Sequence, residues 1–539
     1  MFGVRAPDHP GAQARPGDDM ASPTRTDDPA TPPVHPVDEL LPLPRLLVLG
    51  LQHLFIMYAG AIAVPLIVGP AVGLDESDIA ILVSADLLVC GIASIIQSAG
   101  IGRILGVKLP VVAGATFTVL NPMIIIANSY GGRDGLPYVY GAMIIAGVFG
   151  LIIAKPFSMV IRYFPPLVTG TVIAMIGLSL IGANIGLIAG DKTSTFTPQI
   201  PQLNAAGQPF LGSDGSVAMV TNPDAGQVSH IVLAGVVVLM IVVFARFLRG
   251  FLGQTSVLIA IVLGTIIAIP MSLVDFSSVG SSGWFGIAPP FHFGPPKFAA
   301  AAIISMCIVM LVTYVESTAD MLAVGELTGR DLRPNDLARG LAVDGLSAFL
   351  AGFMNSFPDT AYAENVGLVS MTNVRSRWVV TVCGVGLVIL GLVPKVGAVV
   401  AALPGPVVGG AATVMFAMVT AVGIQTLHKV TFGGPNNHNL LIIAVSFSIG
   451  LIPTIQPKFY QHFSSDFQVI FGSSITSTVI VVFVLNLVFN HWLPNFPRRA
   501  GAVEEAVQAG AVTGGTPPDE GATAPAARES EDGVARHRA

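Results

Sequence analysis

Charge is scarce in this chain. Only 11% of its 539 residues are Asp, Glu, Lys or Arg, while 53% are apolar. A soluble domain is excluded, because a surface that meets water cannot give up this much charge. Cysteine is scarcer still: Cys90, Cys307 and Cys383 all fall inside apolar segments with no metal-ligand spacing, and read as small core residues. None of the seven lysines follows a glycine, so there is no phosphate-binding loop and no ATP engine on the chain. H-E-x-x-H, a Cys pair two residues apart and G-x-S-x-G are missing, as is any nucleophile–base pairing, which argues against an enzyme. No run of regularly spaced arginines reads as a voltage sensor. The N-terminal stretch has no apolar core of the signal-peptide kind, so no cleavage is expected. What these absences leave is transport that runs on a gradient or a partner, with no cofactor, no metal and no nucleic acid.

What the chain does have is a succession of apolar stretches, many of them about 20 residues long and able to cross ~30 Å of hydrocarbon as a helix. They fall near 46–69, 77–99, 110–127, 136–154, 166–189, 229–248, 254–274, 298–320, 338–356, 362–373, 378–401, 404–427, 438–453 and 466–493. That predicts an all-α polytopic membrane protein with about 14 transmembrane segments. Residues 1–40 and 496–539 carry no apolar period and are expected to be disordered tails. With the N-terminus inside, the even-numbered loops and the segment after the last span hold fourteen Lys and Arg residues, from Arg103 to Arg499. The odd-numbered loops hold only Arg133, Lys192, Lys297, Lys395 and Lys458. This bias predicts an even span count with both termini cytoplasmic.

Two segments are short, broken and polar: the third, around Leu109–Thr118, and the tenth, around Ser356–Asn365. They are seven spans apart. A repeat unit with an odd number of spans inverts on duplication, so two inverted seven-span halves are expected, with the solute site between the paired interruptions. Irregular backbone at that depth survives only where it lines a cavity or is buried in protein, and half-helix N-termini there would aim N–H groups at the solute.

Acidic side chains within spans are costly and should face the bundle interior. Asp86 falls in the second span, Glu316 and Asp320 in the eighth, Asp344 in the ninth and Glu364 in the tenth. Glu316 and Asp320 are four apart and share one helix face. Two carboxylates on one face cannot both ionise cheaply in a low dielectric, as a proton-coupling group requires. Glu364 with Asn365 offers the donors and acceptors that read the edge of a flat, amide-like ring. Asp86 reads as a packing or hydrogen-bonding residue. His53, after Gln52 in the first span, reads as an organising residue.

Taken together, Gln52-His53, Glu316-Ser317-Thr318-Ala319-Asp320, Asp344-Gly345 and Glu364-Asn365-Val366-Gly367-Leu368-Val369-Ser370-Met371-Thr372 resemble the nucleobase–ascorbate transporter family, from about residue 40 to 495. The resemblance implies short strands in the third and tenth spans. It also implies a core domain (41–155 and 298–402), a gate domain (156–297 and 403–495), and a homodimer that meets through the gates. It assigns Glu316 and Glu364 to hydrogen bonds with the base, Phe117 to stacking, and Asn365, Tyr362 and Ala363 to lining or supporting the site. Asp320 and Asp344, with His53 and Gln52, would serve proton coupling or site organisation. Asp320 looks like the xanthine and urate branch, whereas Glu364 also occurs in uracil carriers, so urate, xanthine and uracil all stay open. The implied activity is proton-coupled import of a nucleobase across the cell membrane.

Overall fold

The computed structural model describes residues 35–160, 164–189, 199–201, 219–221, 225–433 and 437–492. Arg162, Lys192, Arg498 and Arg499 of the charge count, and most of both tails, lie outside the described residues. The helices in chain order are α1 (Leu43–Ala71), α2 (Glu76–Ala99), α3 (Leu120–Ser129), α4 (Leu136–Val160), α5 (Pro166–Ala189), α6 (Val228–Phe247), α7 (Phe251–Gln254), α8 (Ser256–Ala268) and α9 (Ser277–Ser281). They continue with α10 (Ala300–Thr328), α11 (Pro334–Met354), α12 (Ala363–Thr372), α13 (Arg377–Gly391), α14 (Pro394–Ala401), α15 (Gly405–Leu427), α16 (Asn439–Ile455), α17 (Ser465–Phe471) and α18 (Ser474–Asn486). Strand β1 (Ala113–Ala115) pairs antiparallel with β4 (Asp359–Ala361), and β2 (Gln199–Pro201) with β3 (Met219–Thr221).

Among the described residues, nine helices are long and apolar enough to cross a membrane, and α13 with α14 would make a tenth that is bent by 81°. The sequence reading of one continuous span over 378–401 is therefore corrected. Pro394 sits in the first turn of α14, and proline cannot continue the preceding helix because it lacks the N–H and its ring clashes with the turn before it. The span read over 466–493 is also divided. Ser473 starts a new helix there, its hydroxyl accepting from the Thr476 N–H.

The tail boundary at residue 40 moves as well. Val37 is fully buried, its carbonyl accepts from the Arg377 N–H, and the Asp38 carboxylate meets Arg377 at 2.7 Å and Arg330 at 3.4 Å. Two cations counted for orientation thus anchor the stretch that leads into α1.

Packing sorts the helices into two bodies. In one, α2 lies on α13 and α4 on α11, while α13 also takes α1 and α4 takes α10. In the other, α15 lies on α5 and α6, and α5 carries α16 and α18. When the segments before and after residue 298 are exchanged, α2 with α13 becomes α11 with α4, α1 with α13 becomes α10 with α4, α15 with α6 becomes α5 with α16, and α5 with α15 maps onto itself. That closure is what two inverted halves related by a pseudo-two-fold in the membrane plane produce. Helices α1, α3 and α10 present the first body to the second. The crossing of α2 with α13 needs glycine: a Cβ at Gly91 or at Gly384 would run into the other's backbone carbonyl.

Candidate functional site

The two interruptions meet. Ala113, Gly114 and Ala115 pair with Ala361, Thr360 and Asp359, and the ladder is extended by Tyr362 N–H to Val112 O and Thr116 N–H to Pro358 O, both 3.0 Å. Three residues a side with no bulky side chain let the two backbones cross in the interior with their polar groups satisfied. Each strand runs straight into a helical N-terminus. β1 leads through the turn Phe117–Val119 to α3, and β4 leads to α12. Because the strands are antiparallel, the two helices depart in opposite directions. Their N-terminal N–H groups and partial positive charges therefore lie at the two ends of one short ladder.

Carboxylates flank this crossing. Glu316 of α10 is half-buried, and its Oε2 accepts from the hydroxyls of Thr116 (3.3 Å) and Thr118 (3.4 Å). Thr116 also caps the following turn, accepting from the Thr118 N–H at 3.1 Å. Glu364 lies in the first turn of α12, half-buried and with no hydrogen bond from another side chain among the described residues. Neither glutamate forms an ion pair with Lys or Arg there. Helix α10, which carries Glu316, packs on α12, which carries Glu364. Glu316 also borders a cavity of about 20 Å³ against α5 and α18, lined by Val168, Val172 and Val479, room for about one water. The glutamate therefore stands where the two bodies touch.

The remaining predicted residues divide into three groups. Asn365 is buried and its amide nitrogen is shared by His53 Nδ1 (2.9 Å) and His53 O (3.3 Å), so His53 holds α12 against α1. Phe117 is buried at the start of its turn, with its ring edge-on to Phe416 of α15 at 5.6 Å, on the seam between the bodies. Ala363 is exposed at the start of α12, and Gln52 is half-buried in α1.

The ring of Tyr362 turns the other way. It fills a slot that a Cβ at Gly60 or Gly114 would close, so at the crossing Tyr362 offers its backbone rather than its ring. Asp320 lies one turn beyond Glu316 on α10, with one carboxylate oxygen buried and unpartnered. Asp344 of α11 is fully buried with neither oxygen bonded.

Reasoning from sequence missed four groups. Thr116 and Thr118 hold Glu316, and Ser317 fastens β4 to α10 through Thr360 Oγ1 (3.0 Å) and the Ala361 N–H (2.9 Å). Asp359 is buried in β4 beside Asp86 and Cys90, the donor atoms of the three lying within 4.8 Å of one another. The proline before Asp359 marked the break but not the direction of its side chain. For the threonines, the only signal was hydroxyls two apart at a helix start.

Comparison with known proteins gives the family. Residues 44–211 and 210–459 match the Xan_ur_permease model, described as Permease family. The chain is 37% identical over 475 residues to the uric acid transporter UacT of Escherichia coli, covering 88% of this chain and 91% of the relative. It is 38% identical over 446 residues to the xanthine permease of Bacillus subtilis (83% and 94%), and 37% identical over 451 residues to the uric acid permease PucK of the same organism (84% and 97%). Among solved structures it resembles in fold the murine Slc26a9 anion transporter in its inward-facing state, at TM-score 0.53 and 13% identity over 84% of this chain and 69% of the other. It also resembles the transmembrane domain of the cyanobacterial bicarbonate transporter BicA, at TM-score 0.50 and 13% identity over 82% and 96%. The chain is a multi-pass membrane protein of the permease type, not an enzyme, and it belongs to the nucleobase–ascorbate transporter family.

Proposed function

We propose that this protein imports a purine base of the urate–xanthine class by proton symport, and that the base binds at the strand crossing between Glu316 and Glu364. The observation that carries this reading is the pairing of two helix N-termini with two carboxylates that have no cationic partner. N–H groups offer donors to ring carbonyls, and the carboxylates accept from ring N–H groups. That is the complement of an oxidised purine edge. Relatives named for uric acid and xanthine, at 37–38% identity, support the same class. The structural neighbours named for bicarbonate and other anions share the fold alone, and an inorganic anion would face two glutamates here.

The proton has a place in this scheme because unpaired carboxylates at this depth are costly unless neutralised. In the proposed cycle a proton from outside settles on the group formed by Glu316, Asp320 and Asp344. The first body, as a core, then moves against the second, as a gate, and release inside follows loss of the proton. The cavity beside Glu316 has no room for a heterocycle, so admission of the base requires the bodies to separate along α1, α3 and α10. Cytoplasmic termini, residence in the cell membrane and a homodimer through gate helices such as α6, which is largely exposed, belong to the same proposal.

The test is uptake of labelled urate, xanthine and uracil in a strain without carriers of its own, with and without a protonophore. Accumulation of urate or xanthine that the protonophore collapses is the expected result. Accumulation of uracil alone would move the substrate to the pyrimidines, and uptake indifferent to the protonophore would remove the coupling.

A further inference from the structure

At the strand crossing, Asp86 of α2 stands near Asp359 of β4, their donor atoms within 4.8 Å of one another. Both side chains are buried, at 1% and 0% exposure. Each carboxylate has one oxygen bonded: Ser356 Oγ–H donates to Asp86 Oδ1 at 3.3 Å, and Cys90 Sγ–H donates to Asp359 Oδ1 at 3.1 Å. The second oxygen of each, Oδ2, is buried and has no partner. Neither residue forms an ion pair among the described residues. The other titratable groups facing the pair are Tyr140 of α4, Tyr362 ahead of α12 and Asp344 of α11, which approaches Asp359. None of them supplies positive charge.

We propose that Asp86 and Asp359 share a single proton, forming a buried acid–carboxylate pair that ties β4 to α2 and is separate from the carboxylates facing the solute. Counting hydrogens leads to this occupancy. With no proton, two anionic oxygens are left bare in the interior, a cost of several kcal/mol or more by the physics of charge burial. With one, the two carboxyls, whose donor atoms lie within 4.8 Å of one another, can share a single hydrogen bond between their orphan oxygens. With two, a pair of hydrogens points into the same gap. A hard metal ion fits poorly, because such ions take about six or more oxygen ligands. Here the third group in reach is a thiol already spent as a donor to Asp359, which leaves two free oxygens.

The pair is a positioning device. Asp359 precedes Glu364 by five residues and, in the ladder, lies opposite Ala115, just ahead of Thr116, so the proton fixes where both half-helices begin. The inference needs nothing from the identity of the solute and is tested without transport.

Infrared spectra of the purified full-length protein at neutral pH give the readout, in Na⁺ and in K⁺ buffers. Asp359→Asn should remove one protonated-carboxyl C=O band, because an amide replaces the shared O–H as donor to Asp86. Asp86→Asn should remove the same band, and the double variant should remove no more than either single. Equal spectra for wild type and both single variants would overturn the proposal, as would a double variant that loses twice the intensity, or a wild-type band present in one salt and absent in the other. If both asparagine variants fail to fold, Cys90→Ala keeps both carboxylates and withdraws only the thiol hydrogen from Asp359. The band must then shift, and an unmoved band would overturn the proposal equally.

Discussion

The two bodies of this molecule bury very different interiors. Around the strand crossing, α2, α11 and β4 bury Asp86, Asp344 and Asp359 outright, with Glu316, Asp320 and Glu364 half-buried nearby. The body of α5, α6, α8, α15, α16 and α18 buries no Asp, Glu, Lys or Arg among its described residues. Its polar atoms are mostly hydroxyls that bond their own helix one turn back: Thr171 to Leu167 O, Thr265 to Ile261 O, Thr420 to Phe416 O and Ser446 to Ile442 O. Such hydroxyls are satisfied without a neighbour. Charge that can be neutralised is gathered in one body, and the other is a neutral wall. A carrier that changes its charge state and its position together is well served by that division.

The strongest way to break the comparison is to place a carboxylate in the neutral body. Ser446 is fully buried in α16, and Ser446→Asp gives an acid no partner there. The expected cost is about 2.5–3.5 kcal/mol, that of a charged residue at the centre of a span. It should be read as lost monodisperse protein in detergent size-exclusion, while Asp344→Asn in the first body should still fold. If the two variants fold equally well, the two interiors do not differ in their tolerance of charge.

Next in size is Glu316→Gln. The amide oxygen still accepts from Thr116 and Thr118, but the side chain can neither carry charge nor exchange a proton. Loss of a charge-assisted hydrogen bond of about 1.5–3 kcal/mol corresponds to roughly 10–150-fold weaker uptake of labelled base, and accumulation against a gradient should vanish. A variant that still concentrates the base would exclude Glu316 as a proton carrier. Thr116→Val should do less. The valine also withdraws the cap on the Thr118 N–H; the lost hydroxyl contact to Glu316, about 0.5–1.5 kcal/mol, predicts uptake lowered roughly 2–13-fold with coupling retained, so uptake equal to wild type would show that Glu316 needs no support from the third span.

Much of this division is legible in the sequence, and what is not has a physical reason. The scarcity of charge and the apolar stretches predict the helices, and the polar breaks at Leu109–Thr118 and Ser356–Asn365 fall at the strands that pair. Patterns of this kind are local. What they do not encode is which side chain an interruption turns inward. Asp359 follows Pro358 in a stretch that reads as a turn, yet pairing with Ala115 aims it at Asp86 in α2, more than 270 residues earlier. The resemblance implies that Tyr362 lines the site partly through its backbone, and it does not encode that the ring packs over Gly60 and Gly114. The bend at Pro394 was visible as a proline. Hydropathy averages over a window longer than the break and reads the stretch as one span.

The smallest expected effect comes from the watery end of the charged body, where a carboxylate behaves in the ordinary way. Asp75 lies between α1 and α2 and caps α2. Its carboxylate is held below the usual carboxylate range, first by the Asp78 N–H and then by the Ser77 hydroxyl. A group depressed on folding adds stability that is present above its unfolded value of about 3.9 and is lost as pH falls through the folded value. Asp75→Asn keeps a side-chain oxygen for the cap but removes the charge at the helix N-terminus, so the expected loss at pH 7 and low salt is about 0.3–1 kcal/mol. Followed by intrinsic fluorescence during thermal unfolding, the variant should melt slightly below wild type at pH 7, and the two curves should converge as pH falls through the folded value of Asp75. A gap that widens in acid would carry the wrong sign, and would place Asp75 among the acids that need a proton to be stable rather than among those that lose by gaining one.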